Sequence, residues 1–296
     1  DIWSEKEKNM LLEAEALRLY ALAERAKVHA QPYISDFHVG AAGLCHDGLV
    51  FLGFNVEFPK MPIQSTIHAE HFVLSSIFNK YKGKRPLKAL AVTETPCGHC
   101  RQMIVEYLNE GESVIVILKR DGRLIQETFP GDMLKYHIDV NLLETQTLEE
   151  QYRVGPGDIF SESAQQSFLE SFSDFTKSRA GCCIGNSTTN SVYCGSYVES
   201  VAFNPSIPPV QSAMCSFAVE QLGLVLKFPE TINDLVEKET KWDLFHELGK
   251  TIDVAVLALD PHSPIDHFIF ADKLLARSTG KSIALKVVEM EKVSDK

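Results

Sequence analysis

Apolar residues recur at helical spacing near the start of the chain. Leu12, Ala16, Leu19 and Ala23 fall on one face of a segment rich in Ala, Leu and Glu, so the spacing predicts an amphipathic helix over about 8–28, ended by Pro32. Two strand-like runs follow, 39–45 and 49–55. His46-Asp47-Gly48 joins them, and its Asp-Gly pair signals a hairpin turn. A second helix is expected from near Ile67, and a buried strand over 87–93. Pro96 and Gly98 break that pattern, and a further helix is expected to about 109. A strand at 114–118 ends at the Asp121-Gly122 turn. Helix, hairpin, helix, strand, helix, strand implies a mixed sheet covered on both sides, a three-layer α/β/α fold of the α/β class.

Between about 139 and 158 the period is lost, and Gly155-Pro156-Gly157 closes the best linker candidate. The second half then repeats the first, with a helix over 161–177, a hairpin of 182–184 and 192–197, and a helix over 210–222. Gly53-Phe54-Asn55-Val56-Glu57 has its match in Gly195-Ser196-Tyr197-Val198-Glu199. The chain is therefore expected to be a tandem duplication, residues 1–150 and 151–296. The segment from about 266 onward, with a helix over 268–275, has no assigned counterpart.

At 296 residues the chain has room for two domains, and 45% hydrophobic with 23% charged residues excludes a disordered or collagenous chain. No apolar run is long enough for a membrane span. A net charge of −11 without a long basic tract argues against a nucleic-acid partner. Seven irregularly spaced cysteines argue against a secreted disulfide framework and for a reducing, cytoplasmic setting. Cys182, Cys183, Cys194 and Cys215 are expected to be buried thiols. The chain begins at Asp1, so a targeting segment before it stays open.

The chemistry concentrates in His68-Ala69-Glu70 and Pro96-Cys97-Gly98-His99-Cys100. Two cysteines three apart across a helical turn can reach one zinc ion, and His68 supplies a third ligand. A tetrahedral ion with three protein ligands keeps one position open for water, whose pKa falls to about 7. Residues two apart on a helix point about 200° away from each other, so His68 and Glu70 converge only at a helix N-terminus. A second helix start at Cys97 would also favour the thiolates. One alternative is a closed structural zinc site with His99 as fourth ligand, although it leaves Glu70 unused beside the metal. A redox role for the cysteine pair is the other.

These residues match a histidine-x-glutamate and proline-cysteine-x-x-cysteine signature of zinc deaminases. With Phe37-His38-Val39-Gly40-Ala41, Asn55-Val56-Glu57-Phe58, Arg101-Gln102, Ala202-Phe203-Asn204-Pro205 and Pro208-Pro209, the chain resembles cytidine deaminase in its long, two-domain, homodimeric form, from about Pro32 to Pro261. The resemblance implies hydrolysis of cytidine and 2′-deoxycytidine to the uridines, as in pyrimidine salvage, with one Zn2+ per chain. It implies zinc-bound hydroxide attacking C4 and Glu70 shuttling protons. Asn55 and Glu57 would bind the ribose, Phe37 would pack on the pyrimidine, and backbone at Ala69, Thr95 and Cys97 would meet its polar edge. Arg101 and Gln102 would steady the loop, with Arg101 also open to bonding a cysteine sulfur. Phe203 would close the site of the partner chain. A nucleotide or polynucleotide deaminase, and a non-enzymatic zinc-stabilised dimer, are the rival readings. Aligning His68 with Gln211 and Pro96 with Pro261 sets Ala213 opposite Glu70, His262 opposite Cys97 and Ile265 opposite Cys100, a second copy that cannot hold zinc.

Overall fold

The computed structural model describes residues 10–108, 114–129, 151–231 and 242–293. Helix α1 (Glu13–Lys27) precedes the hairpin β1 (Gly40–Cys45) and β2 (Leu49–Phe54), then α2 (Ala69–Lys80), β3 (Leu87–Val92), α3 (Gly98–Tyr107), β4 (Val114–Arg120) and β5 (Arg123–Phe129). After the short β6 (Tyr152–Arg153) come α4 (Ile159–Leu169), β7 (Ala180–Asn186), β8 (Ser191–Ser196), α5 (Pro209–Leu222) and β9 (Val225–Lys227). The chain closes with α6 (Leu244–Thr251), β10 (Val254–Leu259), α7 (His267–Thr279), β11 (Leu285–Glu289) and β12 (Glu291–Lys292). Of the expected linker, residues 139–150 lie outside the described residues, as do the first two residues of the expected opening helix.

Two mixed sheets with the same internal order result. The first runs β5-β4-β3-β1-β2-β9 and the second β11-β10-β7-β8. In each, the hairpin is antiparallel, and the next strand pairs antiparallel with the first hairpin strand and parallel with the strand beyond it. Residues 267–289 thus have a counterpart: α7 and β11 stand where α3 and β4 stand. Divergent side chains hid this from the sequence, because only the backbone pairing is kept.

β1 is buried along its whole length, as a strand covered on both faces must be. Leu19, Leu22, Ala23 and Ala26 of α1 cover one side; Val73, Leu74 and Ile77 of α2 with Met103 and Ile104 of α3 cover the other. Gly53 permits the close contact beneath α2: a β-carbon there would lie 2.7 Å from the Ala69 carbonyl oxygen. Gly195 does the same under α5, with 2.2 Å to the Ala213 nitrogen.

The two copies meet along α2 and α5. Ser75 Oγ lies 2.8 Å from Ser212 Oγ, and Asn79 Nδ2 donates to Ser212 Oγ at 2.9 Å and Ser216 Oγ at 3.1 Å. β9 leaves the second copy to extend the first sheet, Val225 pairing with Phe51. One cysteine expectation is overturned. Cys183 and Cys194 are direct partners across the β7–β8 hairpin, 4.1 Å apart at Cα, and form a disulfide. Their facing positions depend on the register, which the sequence did not specify. Cys45, Cys182 and Cys215 are buried free thiols. Among the described residues no helix is long and apolar enough to cross a membrane.

Candidate functional site

Two helix N-termini build the site. His68 is the residue that caps α2, with extended backbone at φ −76° and ψ 154°, and Glu70 lies in the first turn. Cys97 caps α3 in the same way, φ −71° and ψ 174°, and Cys100 occupies its first turn. At a helix start the chain is still turning, so residues two or three apart reach a common point. The end of β3 is held by reciprocal bonds, Thr93 N to Gly40 O at 3.0 Å and Gly40 N to Thr93 Oγ1 at 3.1 Å.

The ligand atoms of His68, Cys97 and Cys100 all lie within 4.8 Å of one another, the single such group among the described residues. Cys97 Sγ is 3.7 Å from His68 Nδ1 and 3.6 Å from Cys100 Sγ. A tetrahedral zinc with bonds of about 2.3 Å to sulfur and 2.0–2.1 Å to nitrogen needs edges of about 3.5–3.8 Å. The donor set therefore fits zinc, and His99 stands outside the group, which leaves three protein ligands rather than four. The two sulfurs are joined by one hydrogen bond. The bond with Cys100 is the chief cause that brings Cys97 down to about 3, while burial and that same bond push Cys100 well up. Bound zinc would deprotonate both.

Glu70 is 4% exposed and hydrogen-bonds the Cys100 thiol. Burial raises its pKa above the usual glutamate value. The cleft in front of it is lined by Phe37, Asn55, Glu57, Ala69, Thr95 and Cys97, with Ser35, Thr66 and Glu94 beside them. Glu57 Oε2 accepts from Ile34 N at 2.7 Å and Ser35 N at 2.8 Å, and Oε1 from Ser35 Oγ at 2.5 Å. Burial alone would raise its pKa, but these donors outweigh it and keep Glu57 an anion below the ordinary range. Asn55 accepts from Val39 N at 2.9 Å and donates to Phe37 O at 2.8 Å, so it fixes the Phe37 segment as well as facing the cleft. Phe37 is 55% exposed.

Arg101 Nε donates to Pro96 O at 2.7 Å, tying down the loop before the cysteines. Gln102 Nε2 donates to Glu106 Oε1 at 2.8 Å. Phe203, with φ 59°, is not in this cleft; it lines an adjoining cavity with His68 and His99 of its own chain. Ser35, Glu94 and Glu106 escaped the sequence reading. Glu106 alone carried a signal, a carboxylate four residues beyond Gln102 on the cysteine helix.

The second copy repeats the cradle but not the chemistry. Glu199 accepts from Phe175 N at 2.9 Å, from Thr176 N at 3.1 Å and from Thr176 Oγ1. The alignment inferred from sequence shifts, because the bridge Val56–Ile67 has its equivalent in Val198–Ile207. Pro208 therefore stands at the position of His68 and Val210 at that of Glu70, not Gln211 and Ala213. A longer loop after β10 likewise puts Asp266 and Ile269 at the helical positions of Cys97 and Cys100. No thiolate or imidazole set remains there.

Residues 14–117 match a family described as "Cytidine and deoxycytidylate deaminase zinc-binding region", and residues 123–241 match a second pattern of the same description. Cytidine deaminase 6 of Arabidopsis thaliana is 35% identical over 224 residues, 68% of this chain and 75% of that protein. A cytidine deaminase of Yersinia pestis is 32% identical over 196 residues, 66% of this chain and 65% of that protein, so the match spans just under two thirds of the bacterial relative. A solved cytidine deaminase from Burkholderia pseudomallei is 30% identical over 40% of this chain and 96% of its own, at a TM-score of 0.36, too low to bear on the fold.

Proposed function

The chain belongs to the cytidine deaminase family, and on that premise we propose that it hydrolyses cytidine and 2′-deoxycytidine to uridine, 2′-deoxyuridine and ammonia, as in pyrimidine salvage. One observation carries this reading: two helix N-termini set His68, Cys97 and Cys100 within 4.8 Å of each other and a buried carboxyl, Glu70, next to them. Zinc held by the three ligands would supply a Lewis acid that acidifies a water in its open fourth position.

Glu70 would take one proton from the attacking water as oxygen bonds to C4 of the pyrimidine, and would deliver it to N3. It then moves the second proton to the amine as the C4–N bond breaks, so ammonia leaves and the ring keeps a carbonyl and an N3–H. Its buried place beside His68 and Cys100 is what suits the carboxyl to carry the proton between these two sites. Glu57 and Asn55 present an anion and an amide to vicinal hydroxyls, and Phe37 offers a face to the base. Backbone at Ala69 and Thr95, which line the same cleft, would meet the polar edge of the ring. An ionised Glu57 in the cleft and a net charge of −11 favour a neutral nucleoside over a nucleotide or polynucleotide.

By the family resemblance the chain would form a homodimer with the site at the subunit interface, and Phe203, which is 53% exposed, can face a partner as well as the cavity of its own chain. The free Cys97 and Cys100 thiols favour a reducing setting, whereas the Cys183–Cys194 disulfide is of a kind such compartments disfavour. The test is Glu70→Gln. The variant keeps its zinc and loses at least about 100-fold in kcat, the low end for a general acid-base residue. Unchanged turnover, or loss of zinc from the variant, refutes the role of Glu70.

A further inference from the structure

Glu106 is a carboxylate in the last turn of α3, 7% exposed, on the helix that starts with Cys97 and Cys100. It does not touch the cleft. Its Oε1 accepts from Gln102 Nε2 at 2.8 Å and from Ser200 Oγ at 2.9 Å, and its Oε2 from Val201 N at 2.9 Å. Two of those three donors belong to the second copy. Arg85 fixes the same turn of the helix by donating to the Glu106 carbonyl at 2.6 Å.

Ser200 is the foot of a compact turn. Its nitrogen donates to Ser206 Oγ at 2.9 Å, its hydroxyl oxygen accepts from Ala202 N at 3.1 Å, and its carbonyl from Phe203 N at 2.9 Å. At the top of the turn Phe203 adopts φ 59°, a left-handed conformation unfavourable for a residue with a β-carbon, and stays 53% exposed. The hydrogen bonds of the turn beneath it hold the backbone in that conformation. Phe203 shares its cavity with His68 and His99. A continuous path therefore runs from the cysteine helix through Glu106 and Ser200 back over the histidine side of the site.

The arrangement is one-sided. With α3 and α7 aligned at their first residues, Gly98 and His267, Leu275 holds the place of Glu106. A buried carboxylate is expensive to desolvate, and an apolar side chain serves the second copy at the same position. What the carboxylate adds is a fixed register against one particular turn.

We propose that Glu106 is a positioning residue, whose carboxylate locks the Ser200–Ser206 turn of the second copy to the cysteine helix and so holds Phe203 at the His68–His99 edge of the site in the same chain. The kinetic part of this proposal rests on the reading above; the structural part does not. Under it the second copy acts on the site through a defined bond, beyond supplying bulk.

The experiment compares wild type, Glu106→Gln and Glu106→Ala by zinc per chain, by amide hydrogen exchange over 200–206, and by kinetics on cytidine. All three retain the same zinc. Glu106→Ala exchanges about tenfold faster or more in that segment, since Val201 N–H and Ser200 O–H lose a charged acceptor. Its KM rises about fivefold or more while kcat changes less than about twofold, because a displaced Phe203 loosens the site without touching the proton shuttle. Glu106→Gln, isosteric and still able to accept from Val201 N, recovers most of both effects and is the variant expected to fold in any case. Exchange over 200–206 as slow in Glu106→Ala as in wild type overturns the proposal, and so does a kcat loss with KM unchanged. If wild type does not turn over cytidine at all, the functional reading fails while the exchange comparison still decides the proposal.

Discussion

Glu57 and Glu199 are bound identically, yet only one faces a complete site, so the pair separates a structural carboxylate from a substrate-binding one. Each accepts two backbone N–H bonds on one oxygen and a hydroxyl bond on the other. In Glu57→Gln and Glu199→Gln the remaining oxygen still accepts from both amides, and the new amide can donate to Ser35 or Thr176. Each variant therefore keeps its loop and loses only the charge assistance, about 1 kcal/mol of stability. Under the proposed reading a ribose hydroxyl would add a donor in the first copy that the second never meets. Losing a charged acceptor for it costs about 1.5–3 kcal/mol, or about 10- to 150-fold in kcat/KM. Denaturant midpoints should drop equally in both variants, while kcat/KM on cytidine drops only in Glu57→Gln. Equal kinetic losses in the two, or none in either, would refute the assignment of Glu57 to the ribose.

Two further outcomes follow from the packing. Gly53→Ala drives a β-carbon against the Ala69 carbonyl and the Val73 side chain, at 2.7 and 2.8 Å, so the start of α2 must shift. A loss of about 1–3 kcal/mol in stability is expected, with weaker zinc retention under a chelator because His68 moves with the helix. Unaltered zinc retention would show that the contact does not set the ligand. His267 is buried, and burial lowers its pKa. The unfolded chain then takes up the proton first, so the stability His267 contributes is complete above about pH 6.5 and is lost as pH falls below that. His267→Gln, which can still donate to Ser178 O, should lose less stability than wild type between about pH 6.5 and 5 in denaturant titrations. Parallel pH profiles would dismiss His267 as an acid-sensitive element.

The cluster of His68, Cys97 and Cys100 with Glu70 beside it was legible because such a cluster depends on spacing. A cap residue and its first-turn neighbour have fixed separations in sequence, so His68 with Glu70, and Cys97 with Cys100, announce a site before any fold is known. The hairpin and helix periods were legible for the same reason. What remained hidden depends on pairing between distant segments. The Cys183–Cys194 bond follows from strand register, and the equivalence of His68 with Pro208 follows from a bridge that closes over a shortened loop. α7 and β11 keep the backbone plan of α3 and β4 with none of their chemistry, so no motif marked them. Glu106 was visible as a residue, but its purpose lies in donors about a hundred positions away. The strand β9 crossing into the first sheet is of the same kind.

The central claim is a single open zinc site per chain that deaminates a nucleoside, and one coupled measurement tests it most directly. Purified protein is assayed for zinc by elemental analysis and, in the same preparation, for the loss of cytidine absorbance as uridine forms. One zinc per chain with turnover is the predicted result. Two zincs per chain would contradict the inert second copy, and one zinc without turnover of cytidine or 2′-deoxycytidine would contradict the proposed reaction.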